Sequence, residues 1–210
     1  MRFAIGLFMT AAILTPLGYG HAESNDDSLL VYAVHVSSLY GVYLGKGLVI
    51  TAAHVVVPAN NRVRIAGLEL PANIIKRGLL ERVDLTLLAV DEQRLPVSLR
   101  MRRMPLCGNP PWVGESVIIA IPEGTARSRI MSPLLLPPDV RTKFSTVISD
   151  VATTGNSGSG VFDAGRKCLL GIMSRKISVR PFDGGEPKDI AKYFVPATTI
   201  GSFIPTAYRF

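Results

Sequence analysis

Short apolar runs, each broken by glycine, proline or asparagine, recur every 8–12 residues along most of this chain. They include LLVYAVHVSS, KGLVITAAH, RVRIAG, DLTLLAV, ESVIIAIPEG, STVISDV, SGVFD and CLLGIMS. Runs this short, rich in valine, isoleucine and tyrosine and bounded by turn residues, predict β-strands. Helical periodicity is confined to the end. There PATTIGSFI places Ile200, Phe203 and Ile204 at i, i+3 and i+4, with Thr198 or Thr199 able to cap. The pattern predicts an all-β chain with one short C-terminal helix. Many short strands are best accommodated by closed barrels, which leave no exposed edges.

One stretch departs from the pattern. Glu92 to Trp112 is rich in proline and arginine and poor in strand signal. It divides the chain into residues 23–100 and 101–210, each long enough for a small β-barrel; a single sandwich with a long loop is the other arrangement such a stretch allows.

The first 22 residues have the makeup of a signal peptide, with an uncleaved membrane anchor as the alternative. Arg2 supplies the charged start, Ala4 to Leu17 the apolar centre, and Gly20 and Ala22 the small residues of a cleavage site. No later stretch is long and apolar enough to span a bilayer, so no membrane span is expected after the leader is removed. The formal charge of +7 falls to +6 with the leader, since Arg2 is the only charged residue in it. The remaining cations are dispersed and not interleaved with aromatic residues, which argues against nucleic-acid binding. Cys107 and Cys168 have no zinc-site spacing, and no metal or cofactor is expected. An exported chain permits a disulfide between them, and two buried thiols are the alternative.

The candidate chemistry centres on TTGNSGSGVFD, Thr153 to Asp163, which holds Ser157 and Ser159 among glycines. A serine hydroxyl is a weak nucleophile unless a base takes its proton. After the leader only His35 and His54 remain. His35 lies within an alternating strand and reads as structural. His54 follows an apolar run and two alanines, where the chain can turn as the imidazole emerges. Asp84 opens the DLTLLAV strand, and a carboxylate at the edge of a core needs a partner. Alone it would read as a turn cap. An imidazole N–H would suit it.

In the order TAAH, VDLTLL, GNSGSG, these elements resemble the trypsin/chymotrypsin superfamily of serine proteases, and most closely its bacterial HtrA-type and glutamyl-endopeptidase branches. GVYLGKGLVITAAHVV, VGESVIIAIPEG, ISDVATTGNSGSGVF, LLGIMS and YFVPATTIGSFI fall in the superfamily's order. The resemblance implies two six-stranded antiparallel barrels with the active site in the cleft between them. It implies Ser157 as nucleophile, His54 as general base and Asp84 as the residue that orients it. The N–H groups of Gly155 and Ser157 would form an oxyanion hole. It further places Val151, Met173, Ser174, Arg175 and Lys176 along the substrate pocket, with a protein or peptide as substrate.

Other hydrolase designs do not fit. No histidine follows Ser157, as the α/β-hydrolase order requires, and neither S-x-x-K nor H-E-x-x-H occurs. Asn156 stands where digestive relatives carry an aspartate that pairs with a newly cut N-terminus, so no activation by that route is expected. Val151 supplies no negative charge, which disfavours cleavage after lysine or arginine. Met173 stands where glutamyl endopeptidases have a histidine, and a small or medium apolar residue before the scissile bond is expected instead. With Phe210 following soon after the helix, no appended peptide-binding domain is expected.

Overall fold

The computed structural model describes residues 26–57, 59–149, 157–181 and 184–209. The leader, Val151, Gly155 and Asn156 lie outside them. Twelve strands form two closed barrels. The first contains β1 (Ala33–Val36), β2 (Leu39–Gly45), β3 (Leu48–Thr51), β4 (Arg62–Ile65), β5 (Leu68–Arg77) and β6 (Thr86–Val90), in the order β1-β2-β3-β6-β5-β4. The second contains β7 (Ser116–Ile121), β8 (Gly124–Met131), β9 (Val147–Ser149), β10 (Gly160–Asp163), β11 (Leu169–Val179) and β12 (Lys188–Pro196), in the order β10-β11-β12-β9-β8-β7. All the strand pairs are antiparallel, and a helix at Ala197–Phe203 follows the last strand. In the first barrel, Lys46–Gly47 and Ala66–Gly67 make two-residue turns with φ of 51°, 72°, 49° and 76°. Positive φ at both positions matches the twist of the flanking strands.

Packing explains why several strands read as continuous apolar runs rather than alternating ones. In β3, Val49 points into the first barrel beside Tyr43, Val63 and Leu88. Its neighbours Leu48 and Ile50 point outward, yet they are 3% and 0% exposed. They belong to a core shared with Leu169, Ile172, Phe162 and Val195 of the second barrel. Both faces of β3 are therefore buried, one inside its barrel and one between barrels, and the period-2 signal disappears. Phe203 and Ile200 of the C-terminal helix close the same shared core.

Three segments differ from their sequence pattern. Leu29–Tyr32 looks like the start of a strand but belongs to a 3-10 helix, Asp27–Tyr32. The helix packs against strands of both barrels and drives Leu29 into the shared core, a demand that outweighs local strand propensity. β5 is interrupted in sequence by Pro71, which is tolerated because at that residue the strand is paired by β4 alone. β8, GTARSRIM, is too polar to read as a strand, and most of its side chains remain partly exposed. The arginine-rich stretch between the barrels contains only a 3-10 turn at Glu92–Arg94 and a single helical turn at Val97–Arg100.

Two long-range ties hold this arrangement. Cys107 and Cys168 form a disulfide with Cα atoms 5.2 Å apart, fixing the stretch between the barrels to the start of β11. Asp26, only 2% exposed, accepts hydrogen bonds from Arg127 Nε (2.7 Å) and Nη2 (2.9 Å) and from Lys167 Nζ (2.7 Å). Burial alone would raise the Asp26 pKa, but the bonds from Lys167 and Arg127 outweigh it and hold it below its ordinary value of 3.8.

Replacing both Cys107 and Cys168 by alanine should lower stability by roughly 4 kcal/mol in urea titrations, from the unfolded-chain entropy of a loop closed between residues 61 apart in sequence. Asp26→Asn should cost about 1–3 kcal/mol, the range for hydrogen bonds to a charged group. The folded carboxyl titrates below its unfolded value, so its contribution is complete above about pH 4 and lost as pH falls further. The difference between wild type and Asp26→Asn should accordingly shrink on acidification, which thermal melts from pH 6 to pH 3 will test.

Candidate active site

His54 sits on a 3-10 turn, Ala53–Val55, directly after β3. Ala52 and Ala53 are buried to 0% and 3% exposure, where larger side chains would hold the turn away from the barrel end. The His54 side chain is 30% exposed at this edge. Asp84 lies at the end of the loop joining β5 to β6, and its carboxylate is only 2% exposed. It accepts three hydrogen bonds: from the His54 backbone N–H at 3.2 Å, from His54 Nδ1 at 2.8 Å and from Ser174 Oγ at 2.6 Å. A carboxylate only accepts, so the bond to Nδ1 places a proton there and leaves the Nε2 lone pair free.

Ser157 stands at the start of the turn leading into β10. Its Oγ donates to the carbonyl of Ser174 at 3.2 Å, and among the described hydrogen bonds none joins it to His54. The two are connected through Ser174, whose hydroxyl bonds Asp84 and whose carbonyl accepts from Ser157. Such contacts in the absence of substrate are commonly unformed. The turn is pressed against the first barrel. Gly158 has φ of +89°, and a Cβ there would lie 1.8 Å from the Tyr40 carbonyl oxygen and 2.4 Å from Thr51 Oγ1. Thr51 Oγ1 donates to that same carbonyl at 2.6 Å, and the Tyr40 N–H donates to the Ser157 carbonyl at 3.3 Å. Gly158 N–H in turn donates to the Met173 carbonyl at 2.8 Å. Ser159 is fully buried, and its hydroxyl has no hydrogen-bond partner among the described residues. Of the two serines, only Ser157 is accessible.

The remaining candidate residues are dispersed. Met173 is 1% exposed and fills the second barrel beside Val161, Leu170 and Phe194. Arg175 Nη2 donates to the Leu80 carbonyl of the first barrel at 2.6 Å. Lys176 Nζ pairs with Asp189, which also accepts from Ser178. His35 pairs with Glu123 at 3.0 Å, apart from His54 and Asp84. A cavity of about 880 Å³ bounded by Leu44, Met104, Leu106 and Ile204 also lies elsewhere, since His54, Asp84, Ser157 and Ser174 do not line it.

Two participants have no motif. Ser174 reads in sequence only as pocket lining, yet a lone hydroxyl closing the apolar run LLGIM needs a buried acceptor, and Asp84 is that acceptor. Arg77 Nη2 donates to the Val56 carbonyl at 2.9 Å and reaches the Ala53 carbonyl at 3.5 Å, clasping the His54 turn from the end of β5. Nothing in its sequence context signals that role.

A family model described as "Trypsin-like peptidase domain" matches residues 40–172. No curated protein matches the chain. Among solved structures, the MamO protease domain from Magnetospirillum magneticum is similar at 18% identity and a TM-score of 0.59, covering 84% of this chain and 97% of that one. The active form of the Rv3671c protease from M. tuberculosis matches at 18% identity and a TM-score of 0.58, covering 96% and 92%. Kallikrein-related peptidase 10 matches at 16% identity and a TM-score of 0.61, covering 82% and 93%. At these identities the likeness is one of fold.

Gly158→Ala should be severely destabilising, because both its conformation and the backbone oxygen it faces are incompatible with a side chain. A loss above about 2 kcal/mol in chemical denaturation is expected. Ser159→Ala, which removes a buried hydroxyl with no partner among the described residues, should be neutral or stabilising in the same measurement.

Proposed function

Because more than half of its residues match the trypsin-like peptidase domain, the chain belongs to that family, and we propose that it is an exported serine endopeptidase of the bacterial HtrA-like or glutamyl-endopeptidase-like branch. The observation that supports this most directly is the environment of Asp84, buried and bonded at once to His54 Nδ1 and Ser174 Oγ, with the Ser174 carbonyl in turn on the Ser157 hydroxyl.

On this reading His54 Nε2 takes the proton of Ser157 as Oγ attacks the carbonyl carbon of the scissile peptide bond. The resulting oxyanion is received by the N–H groups of Ser157 and Gly155, the latter outside the described residues. Asp84 stabilises the imidazolium by accepting from Nδ1. As the C–N bond breaks, the imidazolium gives its proton to the leaving amine and the acyl group stays on Ser157. Water, deprotonated by the same imidazole, then releases the acid and restores the hydroxyl. From Arg175 to Val179, β11 is paired only by β12 among the described strands. An extended substrate can bond to its other edge through backbone groups. Met173 is turned into the barrel core and does not line the pocket; Val151, outside the described residues, would give the pocket an apolar character, favouring small or medium apolar residues before the cleaved bond.

Export into the periplasm or medium accords with the leader at residues 1–22 and with the Cys107–Cys168 disulfide, a bond of oxidising compartments. No helix among the described residues is long and apolar enough to cross a membrane.

A fluorophosphonate probe tests the proposal. Labelling is expected for the wild type and for Ser159→Ala, and none for Ser157→Ala. Turnover of an unbiased peptide mixture by Asp84→Asn should fall on the order of 10⁴-fold, as it does where such an aspartate is replaced in serine proteases. Folded wild-type protein that takes up no probe would instead indicate a catalytically silent binding module. Dominant cleavage after lysine or arginine would overturn the pocket assignment alone.

A further inference from the structure

We propose that Arg175 is a positioning residue for this reaction: it fastens the tip of the Asp84-bearing loop to the second barrel and so fixes the His54–Asp84 pair relative to Ser157. The inference rests on the protease reading above.

The loop from Gly78 to Leu85 has little of its own to hold it. Leu79 and Leu80 are 60% and 39% exposed, and Glu81 and Arg82 are also exposed. Its internal bonds are Gly78 N–H to the Leu85 carbonyl, Arg82 N–H to the Leu79 carbonyl and Leu85 N–H to the Val83 carbonyl, at 2.8, 3.0 and 2.8 Å. Among the described residues, the tip reaches the second barrel through one hydrogen bond, from Arg175 Nη2 to the Leu80 carbonyl at 2.6 Å. The root of the loop is held by Ser174 Oγ on Asp84. Consecutive residues of β11 thus grip both ends of one loop on the opposite barrel.

Regular strand geometry would forbid this, since adjacent side chains point to opposite faces. The register of β11 against β12 resolves the conflict. Met173 pairs with Phe194 and Arg175 with Tyr193, so Ser174 is an extra residue with no partner. Such a bulge breaks the alternation and lets both side chains face the first barrel. The guanidinium is also braced from behind. It lies 5.4 Å from the centroid of the Phe144 ring, which packs 4.9 Å from that of Tyr193. It keeps this place although its Nε is buried without an acceptor among the described residues. Within the first barrel, Arg77 secures the His54 turn in the same manner, by donating to backbone carbonyls. Arg77 sets the base within its own barrel; Arg175 sets that barrel's loop against the other.

The test compares Arg175→Met, which retains an unbranched stem without the donors, with Arg175→Lys, which retains a charged donor. p-Nitrophenyl acetate has no residues to extend along β11, so it reports on the reacting groups alone. Arg175→Met should lower kcat on this ester about fivefold or more with KM within about twofold, and Arg175→Lys should regain at least half of the loss. Amide hydrogen exchange at residues 79–84 should accelerate about tenfold or more in Arg175→Met. Ester turnover within twofold of wild type, with peptide KM alone raised, would make Arg175 a groove-lining residue and overturn the proposal. Unchanged exchange in the loop would overturn it on any reading of the site. Wild-type protein that neither turns over the ester nor takes the fluorophosphonate probe refutes the protease reading instead, and a catalytic part for Arg175 with it; faster loop exchange in Arg175→Met would then show a structural tether only.

Discussion

The arrangement of this molecule turns on one buried carboxylate. Asp84 is almost wholly removed from water, and an ionised carboxylate in that position is tolerable only with donors around it. Those donors come from both halves of the molecule: the backbone and ring of His54 from the first barrel, the hydroxyl of Ser174 from the second. Satisfying Asp84 therefore requires the barrels to meet in one relative position. Because the Ser174 carbonyl also accepts from Ser157, that same position ties the serine turn to the residue bonded to Asp84.

Behind this polar seam lies an apolar one. Strands such as β3 and β10 bury both faces, and Leu48, Ile50, Phe162 and Ile172 form a continuous core between the barrels. Apolar packing of this kind resists separation but does little to specify register, since similar side chains can slide past one another. Directional bonds supply what it lacks. Gly158 contributes a further geometric limit, for it permits the backbone approach to Tyr40 that no other residue would.

Much of this was legible from residue order. Apolar runs bounded by turn residues marked most strands, and the arginine-rich interval from Glu92 to Trp112 marked the passage between barrels. His54, Asp84 and Ser157 stood out through the order TAAH, VDLTLL, GNSGSG, which resembles that of the trypsin-like proteases. What remained hidden depended on distance in space. Leu29–Tyr32 has the composition of a strand, and only packing against both barrels makes it a 3-10 helix. β5 and β8 carry too much polar character to be separated from loops by pattern alone. Arg175 and Arg77 bond to backbone carbonyls, which every residue possesses, so no partner residue betrays them. Ser174 acquires its place from a bulge that appears only once β11 has a neighbour.

The clasp on Asp26 bears on the order in which the molecule is assembled. Its acceptor lies near the beginning of the polypeptide, while its donors, Arg127 and Lys167, are 101 and 141 positions downstream. A ribosome releases the acceptor long before either donor, so the leading turn can rest on β1 and β2 early, but the Asp26 clasp cannot close until most of the chain has emerged. Contacts of such sequence separation slow folding. The first barrel must wait, with its outward-facing leucines and isoleucines unshielded, for the second to arrive.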